Sequence, residues 1–550
     1  MNSERRSRRD CAAFELVSPE RIADFSSPWV ELLACMPHRL LPEPPVRFDW
    51  ESRLDMLAAG GGFPQAVRND LIDQNTKLGA APNVIDKVGR IFGGEGGIVI
   101  AGQQPGLFGG PLYTLYKALT AVSLAEHLEN RFGIPVVPVF WNAGDDDDFH
   151  EVRNCVVAAA DGNLLTVSAM YGAGDRKRCV GEIPVDRIRP ALEHVQEAMR
   201  GWKGSGTVDG LLTGSIRWNL WGEHFSYIVS RLFDGAILVY DAVSPVWRRE
   251  AAYLTERFMV TRGDILEGIE RRKGEMVSGG VRPPVMQETI EVPLTLIDRG
   301  VKRKFPEWDP SRIGDALKND PSALCPNVTL RAPFQDALFP VIGAVVGPGE
   351  IAYLSQISPV YRGLGVREPV RVPRLTATVL PAALSALRRR TGSTRADLLF
   401  EWDRCVDEYA ASMLPEDFTD RVDGLAGIVS RDIDELAGAL GGDERIVREG
   451  DRIVGAVQKL ARSGTAVCLK RLGEGGFAHR EIKRFLRPGG GLQERVLSAL
   501  VPTAVGVGVR GGILNGIVRA HLDGIAEAGS GHFLVDAVLD AWRWDDSTRA

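Results

Sequence analysis

Two stretches of this chain carry residue types that could do chemistry together. The first runs Gly102-Gln103-Gln104-Pro105-Gly106, continues through Gly109, Gly110 and Pro111, and is followed by Tyr113, Thr114 and Lys117. A glycine loop that feeds a helix N-terminus is an anion site in outline, because free backbone N–H groups and the helix dipole both favour negative charge. Thr114 and Lys117, three residues apart, fall on one face of that helix and would offer a hydroxyl and an ammonium to phosphate. A core threonine and a solvated lysine are the competing roles. The spacing is neither the dinucleotide fingerprint nor the P-loop pattern, so a structural turn competes with the anion site as well.

The second stretch is Asp145-Asp146-Asp147-Asp148. Four successive carboxylates repel one another and call for a cation, a substrate ammonium or a helix N-terminus. Asp145, Asp146 and Asp148 could bind Mg²⁺ or an ammonium, and one could accept its proton. An N-cap with acidic first-turn residues absorbs one or two of the four.

The elements that must position these groups follow from the pattern. Ile98 to Ala101 form an apolar run bounded by glycine, which predicts a short buried strand. Helical pattern follows over about 112–132 and Gly133 closes it. The apolar, β-branched and aromatic run at 134–141 is the next strand. A right-handed β-α-β crossover makes the two strands parallel, so both loops open at one carboxyl edge, where such sheets bind ligands. The empty rim would leave Lys117 and the aspartates facing solvent. A second strand–glycine–helix junction comes at 340–362, with Gly347-Pro348-Gly349-Glu350 as the turn. Glu350 there is a helix-start carboxylate or a site residue. Helices fill 47–92, with Asn69, Asn75 and Pro82 as punctuation. Runs at 235–241, 370–374 and 376–380 complete the core strands.

These elements imply an α/β fold with a parallel-sheet core. A helical lead-in would occupy 1–92. The core would span 93–385, with connecting insertions at about 156–230 and 279–325. Beyond Pro381 the texture becomes helical. Val422, Leu425, Val429, Ile433, Leu436 and Leu440 recur at steps of three and four, and Ile446, Ile453, Val457, Leu460 and Val467 continue after Gly441-Gly442. This predicts a helical hairpin with a coiled-coil seam within 386–485, more apolar stripe than one hairpin buries, hence a homodimer through 419–472. A segment at 486–550 would pack back on the core.

Composition sets the boundaries. A chain of 550 residues exceeds one ordinary core. A net charge of −6 leaves no electrostatic footprint for nucleic acid, and no apolar run is long enough for a bilayer span. The charged first ten residues lack a following apolar signal region, which points to the cytoplasm. Seven dispersed cysteines read as reduced, packed thiols outside the chemistry, and no His or Cys spacing suggests zinc.

Ordered motifs over about 95–500 resemble the BshC family, the cysteine-adding enzymes of bacillithiol biosynthesis. They are Gly102-Gln-Gln-Pro-Gly-Leu107 with Gly110-Pro-Leu-Tyr-Thr-Leu-Tyr-Lys117, Pro135 to Trp141 with the acidic loop, and Pro326-Asn-Val-Thr-Leu-Arg331. Gln335-Asp336, Gly347-Pro-Gly-Glu-Ile-Ala-Tyr353, Gln356, Pro359-Val-Tyr361, Pro373-Arg374 and Gly490-Gly-Leu-Gln-Glu-Arg-Val496 follow in order. The resemblance implies a Rossmann-like core with connecting insertions, a dimerising coiled coil, and amide formation between cysteine and glucosaminyl-malate. ATP is the expected activator, as acyl-adenylate or acyl-phosphate. Lys117, Asp146 and Asp148 are then the expected catalytic groups. Arg331 and Arg374 would pair with malyl carboxylates or form structural ion pairs. Gly102, Gln103, Gln104, Gly106, Tyr113, Thr114, Asp145, Gly347, Gly349, Glu350 and Tyr353 would bind substrate or nucleotide. Asn327, Gln335, Asp336 and Gln356 would orient it. Asp147 stands where the family usually has histidine, with His150 three positions on. Another ATP-dependent ligase or nucleotidyltransferase on the same scaffold, or a non-catalytic partner in a thiol pathway, would share much of this pattern.

Overall fold

The computed structural model describes residues 14–18, 21–22, 50–59, 62–159, 163–380, 384, 388, 391–474, 479–504, 509, 513–527 and 531–536. Cys11 and Cys35 lie outside them. Those of Met1–Thr378 and Gly491–Val535 form one compact unit, and those of Val379–Gly490 and Asp536–Ala550 a second.

The first unit is built on helices α1 (Gln65–Leu78) and α2 (Pro82–Phe92), strand β1 (Gly97–Gln103), helix α3 (Leu112–Phe132) and strand β2 (Val136–Asn142). Helix α4 (Trp221–Leu232) precedes strand β3 (Leu238–Asp241), and the long helix α5 (Ala252–Ser278) follows it. A small antiparallel sheet comes next: β4 (Leu294–Asp298) pairs with β5 (Val301–Lys304) on one side and β6 (Leu324–Pro326) on the other. Helix α6 (Val328–Leu338), strand β7 (Val341–Val346), helix α7 (Pro348–Gln356) and strand β8 (Val370–Pro373) close the core.

Five strands form one wholly parallel sheet in the order β8-β7-β1-β2-β3. Every residue of β2 and β7 is buried, as expected of strands covered on both faces. Trp141 at the end of β2 stacks on Tyr240, with centroids 5.4 Å apart, and meets Trp247 and Phe339 edge-on. The crossover read from 98–141 is present, with Gly97 to Gln103 in register with Val136 to Asn142.

Three local expectations change. The helix expected over 351–362 is two helices, α7 and Ser358–Leu364, because Pro359 cannot continue the first. Strand Ala377–Leu380 lies outside the parallel sheet. Asn69 and Asn75 do not punctuate anything: both sit inside α1. Asn75 is fully buried, donates to the carbonyls of Leu71 and Val239 and accepts from the Val239 N–H. Gln74 accepts from the Asp241 N–H. Together they pair the outer edge of β3, which among the described residues has no further strand beside it.

In the second unit, helices α8 (Phe418–Ala439) and α9 (Glu444–Glu474) form the hairpin. Val422, Ala426 and Ala437 are buried, and Ile433 packs against Gly450. Leu425, Ile428 and Leu436 on α8, and Ile453, Leu460 and Val467 on α9, stay exposed. Among the described residues no helix is long and apolar enough to cross a membrane.

Asn75→Ala leaves a buried N–H and a buried C=O of Val239 without partners. At about 1–3 kcal/mol for each unmade group, the variant should lose roughly 2–6 kcal/mol in urea unfolding. An unchanged midpoint would show that water replaces the asparagine at this edge.

Candidate functional site

The parallel strands run β1, β2, β3 to one side, and the chain then returns to place β7 and β8 on the other side of β1. The winding direction therefore reverses between β1 and β7. In such sheets the two loops at the reversal part company, and a crevice opens beyond the carboxyl ends of the strands. A crevice of about 300 Å³ lies there. Gly102, Gln103 and Gln104 from the end of β1 line it, with Asp146 from the acidic loop, Arg331 and Gln335 from α6, and Glu350 and Tyr353 from α7.

The wall formed by Asp146 and Arg331 is shared with a second cavity of about 510 Å³. Asp146 is partly exposed. Its Oδ1 accepts from the N–H of Asp147, and its Oδ2 from Gln104 Nε2 at 3.0 Å. Burial works to raise the Asp146 pKa, but Arg331, Lys302 and these hydrogen bonds outweigh it and hold the group below the usual carboxylate range. It is an anion at neutral pH. Asp145 is fully buried, 3.2 Å from Arg331 Nη2, and also accepts from the Cys325 thiol. Burial pushes that thiol up to about 11, so it remains protonated and unreactive. Arg331 is held firmly cationic against its own burial by Asp145 and Asp146. The acidic run is thus balanced by protein cations, Arg331 and Lys302, neither of which is near it in sequence.

Asp148 does not join the wall. It caps the short helix Phe149–Val152, accepting from the Glu151 N–H, and lines neither cavity. His150 is exposed beside Tyr171 and lines neither cavity either, so it does not take the place of the histidine that Asp147 replaces. Among the described residues, no group of three or more His, Cys, Asp or Glu is arranged to hold a metal ion. Asp145 and Asp146, the expected Mg²⁺ ligands, face Arg331 instead.

The largest correction concerns the glycine loop. Residues 105–110 are buried, and the amides of the loop's three glycines are bonded within it. Gly106 N–H donates to Gln104, Gly109 to Gly106, Gly110 to Leu107, and Leu112 to Leu497. A Cβ on Gly106 would lie 2.5 Å from the Gly110 Cα, so the loop folds back on itself and its glycine amides face carbonyls rather than an anion. Thr114 and Lys117 are buried, not solvent-facing. Lys117 Nζ is 2.6 Å from Glu350 Oε2 and donates to the Gly102 carbonyl at 2.7 Å and to Gln103 Oε1 at 3.0 Å. Burial lowers its pKa, opposed by Glu350. All its hydrogens have protein acceptors, so it positions Glu350 and the end of β1.

Several other expected ligands are also structural. Glu350 closes a capping box on Gly347, accepting from its N–H, while also facing the crevice. Gly347 fits there because a Cβ would press on Glu350 Oε2 and Arg374 Nε. Gly349 and Tyr113 line neither cavity. Arg374 is buried against Glu494 at 2.7 Å, and the Glu494 carboxylate also accepts from Thr376 Oγ1 and the Ala377 N–H. Asp336 accepts from the Tyr361 hydroxyl and lies 3.7 Å from Arg371, with Gln335 donating to its other oxygen. Gln356 holds both backbone groups of Val285. Asn327 caps α6, though it borders the second cavity. Arg371, Lys302 and Lys304 line the cavities and carried no local signal in the sequence.

A doubly wound sheet with a polar crevice at its reversal point defines a Rossmann-like α/β protein. The family model described as the N-terminal Rossmann-like domain of bacillithiol biosynthesis BshC matches residues 43–375, and the chain belongs to this family. Relatives named "Putative cysteine ligase BshC" include one from Desulforamulus reducens, 27% identical over 361 residues that cover 62% of this chain and 66% of that protein. Another, from Heliobacterium modesticaldum, is 30% identical over 58% of this chain and 62% of its own length. A third, from Bacillus cereus, is 24% identical over 66% and 70%. The chain matches about two thirds of the length of these relatives.

Lys117→Ala removes a buried cation and strands the Gly102 carbonyl. It should lower stability by about 1.5–3 kcal/mol, the range for hydrogen bonds to charged groups. Thermal unfolding checks this; an unchanged melting temperature would return Lys117 to the set of ligand-facing groups.

Proposed function

We propose that this protein joins the carboxyl group of cysteine to the amine of glucosaminyl-malate, with ATP activating the carboxylate. The observation that carries the reading is the wall at Asp146 and Arg331, which puts one anion and one cation between two cavities, in a chain of this family. Two reactants of opposite character can approach such a wall from its two sides.

The residues fit a nucleotide in the crevice. Arg331 and Arg371 are its cations, Arg331 with a buried Nε that has no protein partner, and Gln104, Gln335 and Tyr353 are neutral polar groups around them. Bound there, ATP would supply the cysteine carboxylate with a leaving group. Glu350 would repel phosphate, but Lys117 neutralises it. Asp146 attracts the amine as an ammonium, which gives one proton to solvent to free its lone pair. The neutral nitrogen then attacks the acyl carbon, the activated phosphate leaves, and Asp146 accepts the second proton. Its depressed pKa suits the first task better than the second, so electrostatic positioning is its larger share. Gln104 donates to both Asp146 and Glu151, fixing the carboxylate.

The deciding experiment supplies purified protein with ATP, cysteine and glucosaminyl-malate. Mass spectrometry should find the thiol product together with either AMP or ADP. ATP turnover driven by a different amine and acid, with none of this product, would make the protein another ligase on the same scaffold. Asp146→Asn should cost roughly tenfold to a thousandfold in turnover while the protein still folds, with circular dichroism as the check.

We also infer a homodimer through the hairpin. Ile453, Leu460 and Val467 repeat every seven residues and are about half exposed, alongside exposed Leu425, Ile428 and Leu436. A heptad row of this kind seeks a second helix pair. Leu436→Glu with Leu460→Glu should give monomers in light scattering; a dimer that survives both would place the contact elsewhere.

A further inference from the structure

The second cavity has a chemical layout of its own. Its lining includes three carboxylates, Asp146, Asp147 and Glu288, and three cations, Lys302, Lys304 and Arg331. The lysines and the aspartates come from different elements and meet at Lys302. Lys302 and Lys304 stand two apart on β5, so they share a face of that strand at about 6.6 Å along it. Asp146 and Asp147 come from the loop after β2. Lys302 is only 8% exposed, and its nearest carboxylate is Asp147 at 3.9 Å, beyond hydrogen-bond reach. Burial works against its charge, yet the neighbouring Asp145 and Asp146 carboxylates keep it a cation.

We propose that this cavity is the acceptor subsite, in which Lys302 and Lys304 take the two carboxylates of a dicarboxylate end while the amine end of the same molecule reaches Asp146. The inference rests on the ligase reading above and names where its second substrate lies. Arg374 cannot take those carboxylates, because Glu494 already occupies it in the core. Two lysines on flexible stems suit two carboxylates that need not be coplanar, whereas a planar guanidinium favours a single bidentate partner. A molecule with an amine at one end and two carboxylates at the other pairs with both lysines and with Asp146 in one orientation. That orientation presents the nitrogen at the wall shared with the crevice, where an activated acyl group would wait.

The test uses the full chain and glucosaminyl-malate as the probe. Calorimetric titration without ATP or cysteine should show Lys304→Ala binding it about tenfold more weakly or worse, and Lys304→Arg recovering most of the loss. In turnover, Lys304→Ala should raise KM for glucosaminyl-malate by a similar factor while KM for cysteine and kcat stay within about threefold. Lys302→Met should behave likewise, with circular dichroism confirming its fold, since that side chain is buried. A wild-type protein that makes no product from glucosaminyl-malate overturns the ligase reading, and this inference with it. A wild type that makes product, beside a folded Lys304→Ala with unchanged affinity and KM, overturns the subsite alone.

Discussion

A buried ammonium holds the centre of this molecule together. Lys117 grips the last turn of β1 through the Gly102 carbonyl and Gln103, and the first turn of α7 through Glu350. Those two ends flank the point where the sheet reverses its winding, so the lysine fixes the width of the crevice without lining it. Arg374 and Glu494 repeat the device one layer deeper, and Gly347 is the residue small enough to lie between the two cations. Desolvating a lysine this thoroughly is unfavourable unless each hydrogen finds an acceptor. Here they do, and the geometry of the rim follows from that requirement.

The acidic loop obeys the same logic with the signs exchanged. Asp145 and Asp146 are tolerable side by side because Arg331 and Lys302 arrive from α6 and β5. One carboxylate is spent on structure, deep against Arg331 and the Cys325 thiol. The next is left at the boundary of two cavities, charged and oriented by Gln104. The division of labour between neighbouring identical residues is set entirely by what packs behind each.

Much of this was written plainly in the chain. The run at 97–141 announced a strand, a helix and a parallel strand, and the run at 340–350 announced a second junction of the same kind. The acidic loop was legible as a cation-seeking feature, and Glu350 as a helix start. What the pattern could not carry was partnership at long range: Arg374 with Glu494, Asp146 with Arg331, Asn75 with Val239. Periodicity says which face a residue is on, not what covers that face. A usable signal did exist for Lys117, the one charged residue between Leu112 and Ala125. A helix segment otherwise free of charge belongs in the middle of a core, and its single lysine should then be paired there. Lys302 and Lys304 gave no such hint, because they sit in a small sheet whose pattern reads only as an insertion.

The unit that holds the crevice is discontinuous, taking its final pieces from residues after Gly491. Leu497 receives the Leu112 N–H, Ala499 donates to Gly110, and Glu494 receives Arg374. On the ribosome, 112 residues separate Thr378 from Gly491, and at about 5–20 residues per second they take roughly 6–22 s to make. For that interval the nascent core carries a buried arginine with no carboxylate and a glycine loop with an unpaired edge. The molecule therefore finishes its oldest-made half last, and a chain halted before residue 494 would present to the quality-control machinery a Rossmann core with an uncompensated charge inside it.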